Sequence, residues 1–208
     1  MTAHPDAARV EPVLAVCASH KGGAAHPSRS AVRSLLTVAV DEVARVYPAI
    51  EILDLRDHPL PLFDGRTLND VASPGVDEAA RRVGEAKALL FGIPAYWSAV
   101  SGGFKNFIEV LCGPAYDLAP PYATPFVGKP VGILVVGADI ASASRGVAQA
   151  LDIVEHIGAV PVGEPVSIAD PRRIPSMDRY VTRLVGLLGL LAQKACGLDG
   201  RSASRTDA

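Results

Sequence analysis

Residues 92–111, GIPAYWSAVSGGFKNFIEVL, combine side chains that suit a binding site for a planar or anionic molecule. The aromatic pair Tyr96 and Trp97 follows an apolar run that Pro94 interrupts, so we expect a strand to end there. Aromatic rings offer an apolar face to a planar ligand. Ser101 and the glycines after it begin a helix, whose first N–H groups lack partners and attract anions. The alternative role for the aromatic pair is a subunit contact or a packed loop.

A second polar segment, ASHKGGAAHPSRS at residues 18–30, separates an apolar run from an amphipathic stretch. Serine hydroxyls and free N–H groups just before a helix can surround a phosphate group. The candidates are Ser19, Ser28, Arg29 and Ser30. The segment contains neither the GxxxxGK[ST] of a Walker A loop nor the GxGxxG of a dinucleotide-binding fold. Ser28 or Ser30 could instead serve only as the N-cap of the helix.

A third segment, GADIASASRG at residues 137–146, follows another apolar run and is rich in small residues. Small residues would let the backbone pass along the edge of a flat ligand, although a plain connection with Ser142 as N-cap is the simpler interpretation. The three segments carry weight together, because each follows a predicted strand. His20 and His26 have no matching carboxylates or cysteines nearby in sequence, so no metal site is predicted.

Short apolar runs alternate with amphipathic stretches along the whole chain. Strands are predicted at residues 13–18, 50–55, 86–94, 131–138 and 161–168, each followed by a helix. The runs are apolar throughout, which is typical of parallel strands that helices cover on both faces. The pattern therefore predicts an α/β fold with a doubly wound, five-stranded parallel sheet. In such sheets ligands bind beyond the carboxyl ends of the strands, where the three segments lie.

Composition and charge exclude several classes of protein. A chain of 208 residues suits a single domain over residues 12–199, with flexible tails at 1–11 and 200–208. The formal net charge of −2 gives no basic surface for nucleic acid. The first residues lack the apolar run of a signal peptide, and LVGLLGLLA at 184–192 is too short to span a bilayer. Three widely spaced cysteines favour thiols in a reducing compartment, so we expect a cytoplasmic protein without membrane contact.

Three stretches together resemble one protein family: PSRSAVRSLL at 27–36, PAYWSAVSGGFKN at 94–106 and GKPVGILVVGAD at 128–139. They are similar to the NAD(P)H-dependent FMN reductases of the flavodoxin-like superfamily, and in particular to the branch that supplies reduced flavin to two-component monooxygenases. The resemblance extends from about residue 13 to residue 168. Its most specific element is P-x-Y followed by S-G-x-x-K, here Pro94, Tyr96, Ser101, Gly102 and Lys105.

That resemblance implies a flavodoxin-like fold, bound FMN, and NADPH or NADH as the hydride donor. The implied contacts are Ser19, Ser28, Arg29 and Ser30 for the phosphate, and Pro94, Ala95, Tyr96, Trp97, Ser101, Gly102, Gly137 and Ala138 for the rest of FMN. In relatives such sites lie near a subunit interface, which implies a homodimer or homotetramer. This chain departs from the family pattern at Ala18, where a glycine is usual, and at Lys21, where an arginine is common.

We therefore expect hydride transfer from a nicotinamide to FMN and delivery of the reduced flavin to a monooxygenase. No side chain is expected to act as a catalytic acid or base, because the cofactors react when their rings stack. One alternative enzyme would keep its FMN and reduce quinones, azo dyes, nitroaromatics or metal ions. The other alternative is a flavodoxin-type electron carrier, a class that is usually strongly acidic, unlike this chain. The residues leave open the preferred nicotinamide and whether FMN is a prosthetic group or a substrate.

Overall fold

The computed structural model describes residues 10–22, 30–114 and 124–197, so His26, Ser28, Arg29 and most of the predicted tails lie outside the described residues. In the described ranges the strands are β1 (Val13–Cys17), β2 (Ile50–Asp54), β3 (Ala88–Tyr96), β4 (Ala99–Val100), β5 (Pro130–Gly137), β6 (Val160–Pro161) and β7 (Val166–Ala169). The helices are α1 (Ala31–Ala44), α2 (Pro74–Glu85), α3 (Gly102–Cys112), α4 (Ile140–His156) and α5 (Asp178–Ala195). Short 3-10 helices occur at Leu68–Asp70 and Pro171–Arg173.

The main strands form one parallel sheet in the order β2-β1-β3-β5, and both β6 and β7 pair with β5. This doubly wound, flavodoxin-like order confirms the predicted fold class. The predicted fifth strand at 161–168 is divided into β6 and β7. Gly163 lies between them at a φ of +68°, a left-handed conformation that turns the chain and that glycine adopts without strain.

Strand β3 does not end at Pro94, as the sequence predicts, but continues to Tyr96. The carbonyl of Gly92 accepts a hydrogen bond of 2.9 Å from Ala18 N, so Gly92 directs its polar groups towards β1. Alternate residues of a strand face the same neighbour, and Pro94 therefore also faces the β1 side. Beyond Cys17 that side of β3 is occupied by Ser101, whose hydroxyl donates to the carbonyl of Ala18 at 3.3 Å and whose N donates to Pro94 O at 2.9 Å. The missing N–H of proline therefore leaves neither carbonyl without a donor.

Helices cover both faces of the sheet and fix the loops at its carboxyl edge. Helices α1 and α5 pack on one face, and α2, α3 and α4 pack on the other. Phe91 in β3 contacts Phe104 and Phe107 of α3 at ring-centroid distances of 5.3 and 6.2 Å. Burying each such ring stabilises the fold by roughly 2–3 kcal/mol. The start of α3 is therefore held firmly against the end of β3.

The apolar stretch at 184–192 lies in α5 and contributes its leucines to the core. Leu184, Leu187, Leu188 and Leu191 are buried. A Cβ on Gly132 of β5 would lie 3.0 Å from atoms of Leu187 and Leu191, so the missing side chain lets α5 approach the sheet. Among helices in the described parts of the chain, none has the length and apolar character needed to cross a bilayer.

Candidate functional site

A cleft of about 440 Å³ lies at the carboxyl ends of β1, β3 and β5. Strand β2 lies beside β1 on the side away from β3, and β5 lies beside β3 on the side away from β1. The direction in which successive strands are added to the sheet therefore reverses between β1 and β3. Ligands of open α/β sheets bind at this reversal. Seven predicted site residues line the cleft: Ser19, Ser30, Pro94, Ala95, Tyr96, Gly137 and Ala138.

The segment after β1 brings two buried hydroxyl groups to one wall of the cleft. Ser30 Oγ donates a hydrogen bond of 2.8 Å to Ser19 Oγ, and the two residues are 5% and 1% exposed. Ser30 is also the N-cap of α1, because its hydroxyl accepts from the backbone N of Arg33 at 3.2 Å. The N-cap role and the place in the cleft are thus combined in one residue, whereas the sequence presented them as alternatives.

The aromatic pair lies at a tight hairpin between β3 and β4. Tyr96 pairs with Ala99, and the two turn residues, Trp97 and Ser98, have φ values of 53° and 61°. Positive φ at both central positions defines a type I′ turn, which usually contains Asn or Gly. A left-handed conformation costs roughly 1–2 kcal/mol for a residue with a Cβ, so this hairpin carries local strain.

The two aromatic residues differ in their relation to the cleft. Tyr96 lines it, is 38% exposed, and has Lys21 Nζ 4.9 Å from its ring centroid. This cation–π contact connects the segment after β1 to the hairpin. Trp97 is 99% exposed and does not line the cleft within the described chain. Its side chain is therefore available to a second molecule rather than to the cleft of its own subunit.

Ser101 and the glycines after it attach α3 to the segment after β1. Ser101 is buried, accepts from Phe104 N at 3.3 Å as N-cap, and donates to the carbonyl of Ala18 at 3.3 Å. A Cβ on Gly103 would lie 2.6 Å from the ring of the exposed His20, which would have to move to make room for it. A Cβ on Gly102 would meet nothing within 4 Å. Neither Ser101 nor Gly102 lines the cleft.

Lys105, whose position near the start of α3 is unfavourable for the helix dipole, has a charge partner one turn later. Its Nζ lies 2.5 Å from Glu109 Oε1. Such an exposed i,i+4 pair contributes only a few tenths of a kcal/mol. The charge of Lys105 is thus explained by a local pair.

The segment after β5 approaches the cleft through Gly137 and Ala138. A Cβ on Gly137 would lie 2.6 Å from the backbone N of Ala143, so only glycine lets the first turn of α4 pack this closely. Asp139 caps α4 by accepting from Ser142 N at 2.7 Å, and this hydrogen bond lowers the pKa of the carboxyl group. The predicted N-cap at Ser142 is therefore wrong by one turn, since Asp139 holds that position.

A fourth wall, which the sequence analysis missed, comes from the segment after β7. Asp170, Pro171, Arg172 and Met177 line the cleft there. Asp170 has a φ of 42°, and its backbone N donates to Gly137 O at 3.0 Å. Its Oδ1 is buried without a hydrogen-bond partner in the described chain, although Arg172 Nε lies 3.5 Å away as an ion pair. The sequence signal was an Asp-Pro-Arg turn directly after the fifth predicted strand.

Lys21, where the family pattern commonly has an arginine, also lines the cleft, and the lining residues that the sequence did not single out are Ala31, Val32, Ser34 and Val136. Most of them come from the first turn of α1 and the end of β5. The cleft therefore joins buried hydroxyls, apolar strand ends and one unpaired carboxylate oxygen. Apolar walls with a few convergent polar groups are typical of cofactor sites.

A family model described as NADPH-dependent FMN reductase matches residues 12–171. A search among curated proteins gave no significant match. Among solved structures, the flavoenzyme NAD(P)H:(acceptor) oxidoreductase FerB from Paracoccus denitrificans is 18% identical with a TM-score of 0.65, covering 89% of this chain and 97% of its own. An oxidoreductase from Corynebacterium diphtheriae is 16% identical with a TM-score of 0.63, covering 91% and 99%. The NADH:FMN oxidoreductase EMOB in its apo form is 15% identical with a TM-score of 0.64, covering 88% and 89%. At these identities the structures support the fold.

Proposed function

The chain belongs to the NADPH-dependent FMN reductase family, a family of flavin-dependent NAD(P)H oxidoreductases, and from that premise we propose that it passes reduced FMN to a partner monooxygenase. The hydride donor is NADPH or NADH, and FMN is the acceptor. The observation that carries the proposal is the cleft at the reversal of strand order, because seven of the predicted contacts, including Ser19 and Ser30 for the phosphate, line it.

The residues of the cleft suit FMN by their chemistry. Ser19 and Ser30 offer buried hydroxyls beside the start of α1, where a phosphate is favoured by the free N–H groups of the helix. Pro94, Ala95 and Tyr96 offer an apolar and aromatic wall for a planar ring system. The cleft extends from β1 to β7 across three inter-strand spacings, or roughly 14 Å, which accommodates an elongated ligand.

Asp170 gives an independent test of this fit. Its buried Oδ1 is an acceptor without a donor in the described chain, and it lies in the wall of the cleft. Arg172 Nε forms an ion pair with this oxygen at 3.5 Å but no hydrogen bond, so a ligand hydroxyl or N–H that donates to it is favoured. FMN carries both kinds of donor, on its ribityl chain and on its ring.

When bound, FMN accepts a hydride from the nicotinamide, and this chemistry belongs to the two cofactors. The chain has to orient the rings, exclude water and supply donors from its loops. We assign no catalytic acid or base to it. Backbone groups after β3 and β5 are suited to that work, because β3, β5 and the capped helices hold them rigidly.

The proposed release of reduced flavin agrees with the open side of the cleft. Tyr96, Lys21 and Arg172 line that side and are exposed.

The fully exposed Trp97 supports a subunit contact near the cleft, and we propose a homodimer or homotetramer. Light scattering would measure the oligomeric state.

Cys17, Cys112 and Cys196 form no disulfide, which supports a reducing compartment, and we propose the cytoplasm.

The test is steady-state oxidation of NADPH and NADH by the purified protein with FMN varied at several nicotinamide concentrations. Saturation in added FMN, with little flavin bound to the protein as purified, supports the proposal. A tightly bound flavin and ping-pong kinetics with a quinone, azo dye or nitroaromatic would replace it by a reductase of those acceptors. No oxidation of either nicotinamide in the presence of FMN would favour an electron carrier and contradict the proposal.

A further inference from the structure

Asp54, the last residue of β2, forms a two-pronged ion pair with Arg33 in the first turn of α1. Arg33 Nη2 donates to Asp54 Oδ1 at 2.6 Å, and Arg33 Nε donates to Oδ2. The side chains are 19% and 12% exposed, so water screens the pair only partly. A bidentate arginine–carboxylate pair fixes the plane of the guanidinium group as well as its position. Neither residue lines the cleft.

The fixed guanidinium groups hold the segment after β1 by its backbone carbonyls. Arg33 donates to the carbonyls of Ser19 and Lys21 at 3.0 and 2.8 Å. Arg56 donates to the carbonyl of Gly22 at 2.6 Å, and its Nη2 lies 3.8 Å from Asp54 Oδ2. Arg56 Nε also donates to Asp57 Oδ1 at 3.1 Å, so Asp54 aligns Arg33 directly and shares the alignment of Arg56 with Asp57. Together the two arginines hold three carbonyls of the segment.

This arrangement determines where the N–H groups of the segment point. In a trans peptide the C=O and N–H bonds of one plane point in opposite directions. Because the carbonyls of Ser19 and Lys21 face Arg33, the N–H groups of His20 and Gly22 point away from it. These two N–H groups therefore lie on the side of the segment opposite Arg33, where they are free to donate to an anion. Ser19 and Lys21 themselves line the cleft.

Resting on the proposed function, we propose that Arg33, Asp54 and Arg56 are positioning residues that hold residues 19–22, directly after β1, in the conformation that binds the phosphate of FMN. They act through the backbone and do not contact the ligand. Asp54 also pairs with Arg33, and this ion pair keeps the guanidinium group beside the backbone carbonyls of the segment. We call Arg33, Asp54 and Arg56 the clamp. The clamp therefore determines how well the protein distinguishes FMN from riboflavin, which lacks the phosphate.

Asp54→Asn is the informative variant, because it keeps the side-chain shape and removes the charge that orients Arg33 and lies 3.8 Å from Arg56. We expect the Kd for FMN to rise about tenfold and that for riboflavin to change less than about twofold. At saturating FMN, kcat should be unchanged while the KM for FMN rises. Fluorescence quenching of each flavin gives the two Kd values, and NADPH oxidation gives kcat and KM.

Arg33→Lys serves if Asp54→Asn does not fold. Lysine keeps the charge of Arg33 but lacks the planar fork that reaches the carboxylate and two carbonyls at once. We expect the same selective loss of FMN affinity. This second variant also separates charge from geometry, because the net charge of the protein does not change.

The matched control is the second arginine–carboxylate pair of β2. Arg82 Nε donates to Glu51 Oε1 at 2.9 Å, and Arg82 Nη2 donates to the carbonyl of Ile52 at 3.0 Å. This pair also joins an arginine to a carboxylate of β2, through one hydrogen bond and with Glu51 57% exposed, but its hydrogen bonds do not reach the segment after β1. Glu51→Gln should leave the Kd values for FMN and riboflavin within about twofold of the wild type.

The outcomes separate this inference from the proposed function. A wild-type protein that binds neither flavin would contradict the proposed function itself. A wild type that binds FMN, with Asp54→Asn and Arg33→Lys leaving FMN affinity intact or weakening both flavins equally, would overturn only the clamp. A selective loss of FMN in Glu51→Gln would overturn it too, because any ion pair of β2 would then have the same effect.

Discussion

Replacing Ser30 by alanine should reveal two roles of one hydroxyl group. The Ser30 hydroxyl caps α1 and donates to Ser19, and it lies in the proposed phosphate site. Loss of an N-cap costs about 1 kcal/mol. The unpaired hydroxyl of Ser19, which is 1% exposed, costs about 1 kcal/mol more. We therefore expect the free energy of unfolding to fall by about 2 kcal/mol, or Tm to fall by roughly 4–8 °C.

Ser101→Ala is the matched control for this variant. Ser101 is also buried, also caps a helix, and also donates one hydrogen bond, here to the carbonyl of Ala18. Its removal should destabilise the protein by a similar amount of about 2 kcal/mol. Ser101 does not line the cleft, so its replacement should not change the preference for FMN over riboflavin.

Two measurements test the reasoning: urea unfolding, and titration of each variant with FMN and with riboflavin at a temperature where both are folded. Ser30→Ala should weaken FMN binding by about tenfold or more, since the Ser30 O–H turns from Ser19 to the bound phosphate and a hydrogen bond to a charged phosphate contributes about 1.5–3 kcal/mol. Riboflavin binding should stay within about twofold of the wild type. Equal losses for FMN in the Ser30 and Ser101 variants would refute the phosphate site, because instability alone would then explain them.

Three further predictions concern other walls of the cleft and the core beneath it. Tyr96→Ala should weaken FMN binding about fivefold in a fluorescence titration, while Tyr96→Phe, which keeps the ring, should not. In urea unfolding, Gly137→Ala should lower the free energy of unfolding by about 1–3 kcal/mol, because the added Cβ would clash with the backbone of Ala143. Gly102→Ala is the control, since its Cβ would meet open space, and it should be neutral or slightly stabilising. Burial raises the pKa of the Cys17 thiol from 9.0 to about 11, so between these pH values the folded protein keeps this proton while the unfolded chain loses it. The free energy of unfolding should therefore fall by up to about 2–3 kcal/mol from pH 9 towards pH 11. Cys17→Ala should remove that part of the pH dependence in urea unfolding.

Much of the fold could be predicted from the sequence, because it depends on local patterns. The apolar runs predicted four strands to within about two residues, and each is followed by a helix as expected. Pro94 was misread, because a proline inside a central strand is unfavourable only where its missing N–H faces a partner. That condition depends on where β1 ends, and no feature near Pro94 carries that information.

The candidate site was predicted where contact follows from a strand end, as for Ser19, Tyr96 and Gly137. Trp97 was expected beside the same ligand, yet the type I′ turn directs it into solvent. Whether residue 96 or residue 97 faces the cleft depends on which residues pair across the hairpin. Tyr96 pairs with Ala99 of β4, and this register places Trp97 in the turn.

The sequence by itself determined the alternation of strands and helices, the family resemblance and the polar segments that follow the strands. These features depend on residue types close together along the chain. The tertiary structure alone decided that Asp170 completes the cleft and that Asp54 aligns Arg33 and Arg56 behind the segment after β1. These contacts join residues from separate strands and helices, and only the order and register of the sheet bring their side chains within hydrogen-bonding distance.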